Sequence, residues 1–308
     1  MPQLNFNPKT DIPNLSGKVI FVTGGTAGLG RETILSLASH EPARIYFSGR
    51  SQPSADKLIQ ALKAKHPTVP LTFIKADLTS LSSLKTAAAA FLARGTRLDI
   101  LFANAGIMAT PPGLTEDGYE IQFGTNHMGH AALAKLLLPA LQRSDDPRII
   151  WNTSLGYKGA STIQFDKLKR PNSYPSPVFV MSEWLRYGQS KLANLLYARA
   201  FAQRYPDTLS VAVHPGVSYT GLVTDMGWFN RMFVYATTAH NHVSGEECAF
   251  NQQWAATARK GKGQREVESG VYYEPVGVRG GLTKAAGDDE LAARLWAWTQ
   301  RELEEHGI

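Results

Sequence analysis

The chain has 308 residues, 43% of them hydrophobic and 19% charged, with a formal charge of +6. This is a globular composition with ample apolar mass for a core. Its basic residues are scattered rather than run together, which argues against a nucleic-acid partner. The single cysteine, Cys248, excludes an intrachain disulfide framework and fits a reducing, cytoplasmic setting. No secretory apolar segment opens the chain, and no run approaches the ~18 apolar residues of a membrane span.

Residues 1–16 read as an N-terminal arm. Strand-like runs follow at 18–23, 43–48, 71–76, 98–103, 148–153, 209–214 and, more weakly, 270–275. Helical patterns lie between and after them, at 29–39, 54–66, 80–94, 116–142, 183–205, 244–259 and 288–305. Strand–helix alternation through the chain predicts a doubly wound, seven-stranded parallel sheet with helices on both faces. Uniformly apolar strands fit a sheet covered on both sides. These elements use residues 1–308 as one Rossmann-type α/β domain.

The first strand runs into VTGGTAGLGRE, residues 22–32. Without Cβ atoms such a turn brings backbone close to a ligand, and the helix start behind it offers free N–H groups to a pyrophosphate. Gly24, Thr26, Gly28, Leu29 and Gly30 are therefore candidate dinucleotide-binding residues. An acidic residue that reads the ribose hydroxyls is expected at the end of the second strand. None stands there; Arg50 occupies the tip, and the first carboxylate is Asp56, inside the next helix. An arginine suits a 2′-phosphate, so NADP(H) is expected in preference to NAD(H).

The second constellation is YGQSK, residues 187–191. Tyr187 and Lys191 are four apart and share one helix face. A phenol ordinarily titrates near pH ~10. A neighbouring ammonium should lower that value and make Tyr187 a proton donor or acceptor for a carbonyl/alcohol pair.

Taken together, these motifs resemble the short-chain dehydrogenase/reductase family over nearly the whole chain. TGGTAGLG is similar to its glycine motif, ADLTS to its adenine-flanking site (Asp77, Leu78), and NAG to the element after the fourth strand (Asn104, Ala105, Gly106). TNHMGH supplies Asn126, NTS supplies Ser154, and HPGVSYT is similar to the segment that clasps the nicotinamide, with Val217 and Thr220. The resemblance implies that Tyr187 is the acid/base and that Ser154 binds the substrate oxygen. It further implies that Lys191 holds the nicotinamide ribose and tunes Tyr187, and that Asn126 supports a proton-feeding water chain. Dimers and tetramers are common in the family, so a homo-oligomer is expected.

Ser154 and Tyr187 lie 33 positions apart, and the insertion, 155–182, is similar to that of the retinol-dehydrogenase-like branch, with its I-x-F-x-x-L element. It could shape a pocket rim, decorate the surface, or both. The aromatic stretch 216–240 reads first as a substrate lid, then as a subunit or membrane-surface contact. Met226, Trp228, Phe229 and Trp184 are its and its neighbourhood's candidate pocket-lining residues. His127 and His130 stand one turn apart but lack a third ligand, so no metal is expected. The expected activity is hydride transfer between NADPH and a carbonyl or alcohol of a medium-sized hydrophobic small molecule, in the reducing direction. The rivals are a non-redox relative (cyclase, isomerase or dehydratase) and a cofactor-sensing scaffold.

Overall fold

A computed structural model describes residues 4–95, 97–172, 179–216 and 244–308, with residues 179 and 180 described by backbone alone. The seven apolar runs become β1 (Val19–Val22), β2 (Arg44–Gly49), β3 (Leu71–Lys75), β4 (Ile100–Ala103), β5 (Arg148–Asn152), β6 (Leu209–Val213) and β7 (Tyr272–Glu274). Every neighbouring pair among these seven is parallel. An eighth strand, β8 (Val278–Arg279), pairs antiparallel with β7. The sheet is therefore eight-stranded, in the order β3-β2-β1-β4-β5-β6-β7-β8, rather than seven-stranded and wholly parallel. The extra strand is two residues long, folded back around Gly277 at φ +69. A segment that short carries no alternation for a sequence pattern to reveal.

The main helices are α1 (Gly28–Ala38), α2 (Gln52–Lys65), α3 (Leu81–Leu92), α4 (Gly129–Leu141), α5 (Phe179–Arg204), α6 (Phe250–Thr257) and α7 (Asp289–Glu305). Val19 and Phe21 of β1 enter one apolar cluster, formed with α3, α4, α5 and α7. Ile20 and Val22 enter the other, formed with α1, α2 and α6. The same alternation divides Leu101 from Phe102 and Trp151 from Ile150. Burial on both faces is why these strands read as unbroken apolar runs.

The helical pattern over 116–142 is interrupted. Leu114 bridges Glu120 around a turn, and the Glu120 side chain accepts the Phe123 N–H at 2.7 Å to cap a single turn, Ile121–Phe123. Gly124–Met128 then coils as a π-helix before α4 begins. A π-turn is a local widening of the helix, often found at functional sites, and its apolar spacing hardly differs from that of an α-helix.

Part of the insertion belongs to the core. Ile163 and Leu168 are buried in the cluster shared with α3, α4, α5 and α7, and the Phe165 ring lies 6.1 Å from that of Trp298 on α7. The candidate lid lies outside the described residues apart from Gly216, so Val217, Thr220, Met226, Trp228 and Phe229 are outside them too. Among the described residues no helix is long and apolar enough to cross a membrane.

Candidate active site

Strand order reverses between β1 and β4, and a crevice opens at such a point beyond the strands' carboxyl ends. The glycine turn leaves β1 into it. Gly24 has φ +64, and a Cβ there would come 2.9 Å from the Ala105 Cβ. At Gly30 a Cβ would meet the Asn104 amide nitrogen at 2.7 Å. The loop and the Asn104–Gly106 segment are thus packed too closely for a side chain at Gly24 or Gly30. Thr23 fastens them: its Oγ1 accepts the N–H groups of Asn104 and Ala105 at 2.9 and 3.0 Å, and its carbonyl accepts the Asn104 amide at 2.8 Å. α2, α3 and α7 are capped by the side chains of Ser51, Ser80 and Asp288. α1 starts at Ala27–Gly28 with no side-chain cap. Its first N–H groups remain available to an anion. This geometry fits a dinucleotide pyrophosphate.

Next to the loop, Arg50 is exposed at the tip of β2 and has no hydrogen-bond or ion-pair partner among the described residues. It lines a groove of about 340 Å³ with Lys75, Ala76, Asp77, Ser83 and Thr86. One Asp77 oxygen is held by the Thr79 N–H and hydroxyl, at 2.9 and 2.8 Å. Leu78 lies against Gly129, where a Cβ would come 3.0 Å from its Cδ2. On the other side of the tip, Thr26, Arg31, Ser54, Lys57, Leu58 and Ala61 line a second groove of about 410 Å³. Gly49 joins the two regions, since a Cβ there would sit 3.1 Å from Thr26. Asp56, the first carboxylate along the chain, accepts from Gln52 at 2.8 Å.

Deeper in the crevice, β5 ends at Asn152 and Ser154 caps a 3-10 turn, Leu155–Gly159, by accepting the Gly156 N–H at 3.2 Å. The Ser154 hydroxyl is hydrogen-bonded to Tyr187 on α5. A Cβ on Gly156 would come 3.0 Å from the phenol ring, so the turn lies flat against it. Lys191, one helical turn on, donates to the Asn152 carbonyl at 3.2 Å, with Nζ 5.8 Å from the Tyr187 ring centre. A Cβ on Gly106 would sit 3.3 Å from that Nζ and 3.0 Å from the Asn126 Oδ1. The Asn126 amide pairs with both backbone groups of Ile107, at 2.8 and 2.9 Å, and donates to Ser190 at 2.9 Å. Ser190 in turn donates to the Tyr187 carbonyl at 2.7 Å. Trp184 stacks edge-on to Tyr187, centroids 6.0 Å apart.

The electrostatics differ from the expectation that Lys191 lowers the phenol's pKa. Burial pushes Tyr187 up to about 12, only partly offset by the Ser154 hydrogen bond. Burial also pulls Lys191 down to about 8. The site keeps both side chains at about one-twentieth exposure, and desolvation opposes the charged form of each. In the protein alone the phenol is therefore neutral at physiological pH.

Among known proteins, the family model described as "short chain dehydrogenase" matches residues 18–162. The chain is 35% identical to the short-chain dehydrogenase/reductase drtF of Aspergillus calidoustus, over 95% of each protein. It is 36% identical to mouse retinol dehydrogenase 12, over 92% of this chain and 85% of that one. The chain belongs to the short-chain dehydrogenase/reductase family. A crystal structure of an uncharacterized protein from Mycobacterium paratuberculosis, 28% identical and covering 97% of both chains, superposes with a TM-score of 0.73.

The fold of this dehydrogenase/reductase family binds a nicotinamide cofactor, and its members are oxidoreductases acting on small molecules. Several polar groups of this family member escape motif reading. Lys75, Ser83 and Thr86 join Arg50 only because β2 and β3 pair with Gly49 opposite Lys75. The Asn152 contribution to Lys191 is a main-chain oxygen, which no side-chain pattern encodes. His127 and His130 part company: His127 bonds Thr299 at 3.0 Å, and His130 bonds Thr23. His214 closes β6, its N–H on the Tyr273 carbonyl.

Proposed function

We propose that the chain is one catalytic domain that reduces a ketone or aldehyde to an alcohol with NADPH, Tyr187 giving the proton. The observation that carries this reading is the neutral, buried Tyr187 phenol bonded to Ser154 and one turn from Lys191. A phenol held near a pKa of about 12 is a donor at neutral pH. It can hydrogen-bond a carbonyl oxygen and pass its proton to the alkoxide that forms there. The neutral phenol is the form that the reducing direction uses as proton donor, and the reverse direction uses the phenolate.

Bound nicotinamide supplies the hydride. The chain's residues do the rest. The Gly24–Gly30 turn and the α1 start hold the pyrophosphate. Asp77 and Leu78 flank the adenine, and Asn104, Ala105 and Gly106 bound the nicotinamide side of the crevice. Ser154 donates to the substrate oxygen, Lys191 holds the nicotinamide ribose, and Asn126 supports the proton supply. Arg50, with Lys75 on one side and Arg31 and Lys57 on the other, forms a cationic rim at the β2 tip that suits a 2′-phosphate. Val217 and Thr220 are proposed to clasp the carboxamide. Trp184, Met226, Trp228 and Phe229 are proposed to line an apolar substrate pocket.

The test is a panel of hydrophobic ketones and aldehydes incubated with the protein and NADPH, following loss of reduced nicotinamide. Tyr187→Phe should reduce turnover by at least ~100-fold while NADPH still binds. A product that forms without cofactor consumption, or turnover that survives Tyr187→Phe, would overturn the reading.

A further inference from the structure

His130 lies outside the four catalytic positions, yet its ring is 1% exposed and both of its nitrogens are engaged. Nδ1 lies 2.9 Å from the Asn126 main-chain oxygen, and Nε2 lies 2.9 Å from the Thr23 Oγ1. The carbonyl can only accept, so Nδ1 carries a proton. The Thr23 oxygen already accepts two N–H groups, from Asn104 and Ala105. Both its lone pairs are filled, and only its own hydrogen is left for Nε2. The Phe102 carbonyl, 3.1 Å away, is a second acceptor within reach of that hydroxyl and also takes the Thr23 N–H at 3.1 Å, so the hydrogen can be shared between the carbonyl and Nε2. Both ring nitrogens are matched when the ring is neutral, protonated on Nδ1, and accepts from Thr23 at Nε2. A second ring proton would point at an oxygen with no free lone pair. Burial pulls the ring's pKa down to about 4, and the nearby Lys191 acts in the same direction.

The two partners sit on different halves of the site. Thr23 fastens the glycine turn to the Asn104–Gly106 segment. Asn126 is in the π-turn, where the Gly129 N–H reaches back five residues to Gly124. We propose that His130 is a positioning residue that clamps the π-turn presenting Asn126 to the end of β1, so that the proton-supply side and the cofactor side of the crevice keep one geometry. The proposal rests on the reading of Asn126 given above.

Two variants of the full chain test it, with NADPH and whichever carbonyl the panel shows to turn over. His130→Phe keeps the ring and removes both bonds. His130→Asn places an amide N–H where Nδ1 stood and gives up Thr23. His130→Phe should lower kcat by about tenfold to a hundredfold, the range for a misplaced catalytic group. His130→Asn should recover most of that loss. In an Asn126→Ala background, His130→Phe should cost nothing further in kcat. Losses that multiply between 126 and 130, or a lowered Tm in both variants with kcat intact, would overturn the clamp.

Nitrogen-15 spectra of the histidines, with the His130 signal assigned by its loss in His130→Asn, provide a readout independent of turnover. The expected pattern is a neutral, Nδ1-protonated ring unchanged between about pH 5.5 and 8, where ordinary histidines titrate. An Nε2-protonated ring, or titration in that interval, would refute the proposal. Turnover that survives Tyr187→Phe would instead remove the reductase reading on which the clamp's purpose depends.

Discussion

Lys191 donates from Nζ to the main-chain oxygen of Asn152, a carbonyl that also accepts the Asn194 amide at 3.0 Å. The ammonium is therefore held by backbone at the end of β5 rather than by a carboxylate. Asn152 is itself braced, its amide donating to Asn104 at 3.0 Å and to Gln252 at 2.7 Å. A charge this buried is costly, and its pKa has fallen to about 8. Lys191→Met should therefore raise Tm while lowering kcat/KM by at least ~100-fold and weakening NADPH binding, a trade of function for stability. Calorimetry and steady-state rates measure both arms. A variant with full rate would contradict the assignment.

Arg50 forms no ion pair among the described residues; Asp77 lines its groove, but Lys75 shares that groove and Arg31 and Lys57 line the neighbouring one. Arg50→Ala should weaken NADPH by about tenfold to a hundredfold, the loss of a charged hydrogen bond of about 1.5–3 kcal/mol. NADH, lacking the phosphate, should change little. Titration of both cofactors against both proteins decides it, and equal losses would remove the case for the phosphate.

Arg186 and Glu120 form an ion pair 3.3 Å apart with both side chains fully buried. Arg186 also donates to Asn172 at 2.8 Å and to the Thr110 carbonyl at 3.1 Å, joining α5 to two loops. Arg186→Met should destabilise the fold by about 3–5 kcal/mol, because it strands a buried acid. Adding Glu120→Gln should restore part of that loss. Urea unfolding of the three proteins measures it. A single variant as stable as wild type would show that the pair carries no such weight.

Burial lowers His127 to about 3 and His130 and His214 to about 4. Between about pH 6.5 and 4 the unfolded chain binds protons at these rings and the folded chain does not, so stability falls as pH falls, by up to about 1.4 kcal/mol per pH unit for each ring. Glu120, raised to about 7 by burial, acts oppositely between about pH 4.5 and 7, because there the folded state holds the extra proton. Three groups outweigh one, and Tm should drop across this window. A flat Tm from pH 6.5 to 4.5 would contradict the buried neutral rings.

Much of this was legible in the sequence because parallel strands and glycine turns leave dense local signals. The seven apolar runs became strands, and Tyr187 and Lys191 share a helix face with Ser154 beside them. What escaped is non-local or subtle in period. β8 is too short to show alternation, and the π-turn at Gly124–Met128 hides inside a helical pattern. The phenol's raised pKa reflects burial by distant elements, which the four-residue spacing of Tyr187 and Lys191 does not encode. His130 reads in the sequence as a histidine with no metal to bind, and its partner Thr23, on another element, is set by the fold.

The burial of Ile163 and Leu168 bears on redesign of this enzyme's selectivity. The loop between the serine and the tyrosine is rooted in the closing helix through Phe165 and Trp298, and the Leu168 carbonyl accepts the Glu120 N–H at 2.7 Å. Swapping that loop for a shorter one from a compact relative would unseat the C-terminus and the cap ahead of the π-turn together. Chimeras that graft the loop and closing helix as a matched set are the ones to build.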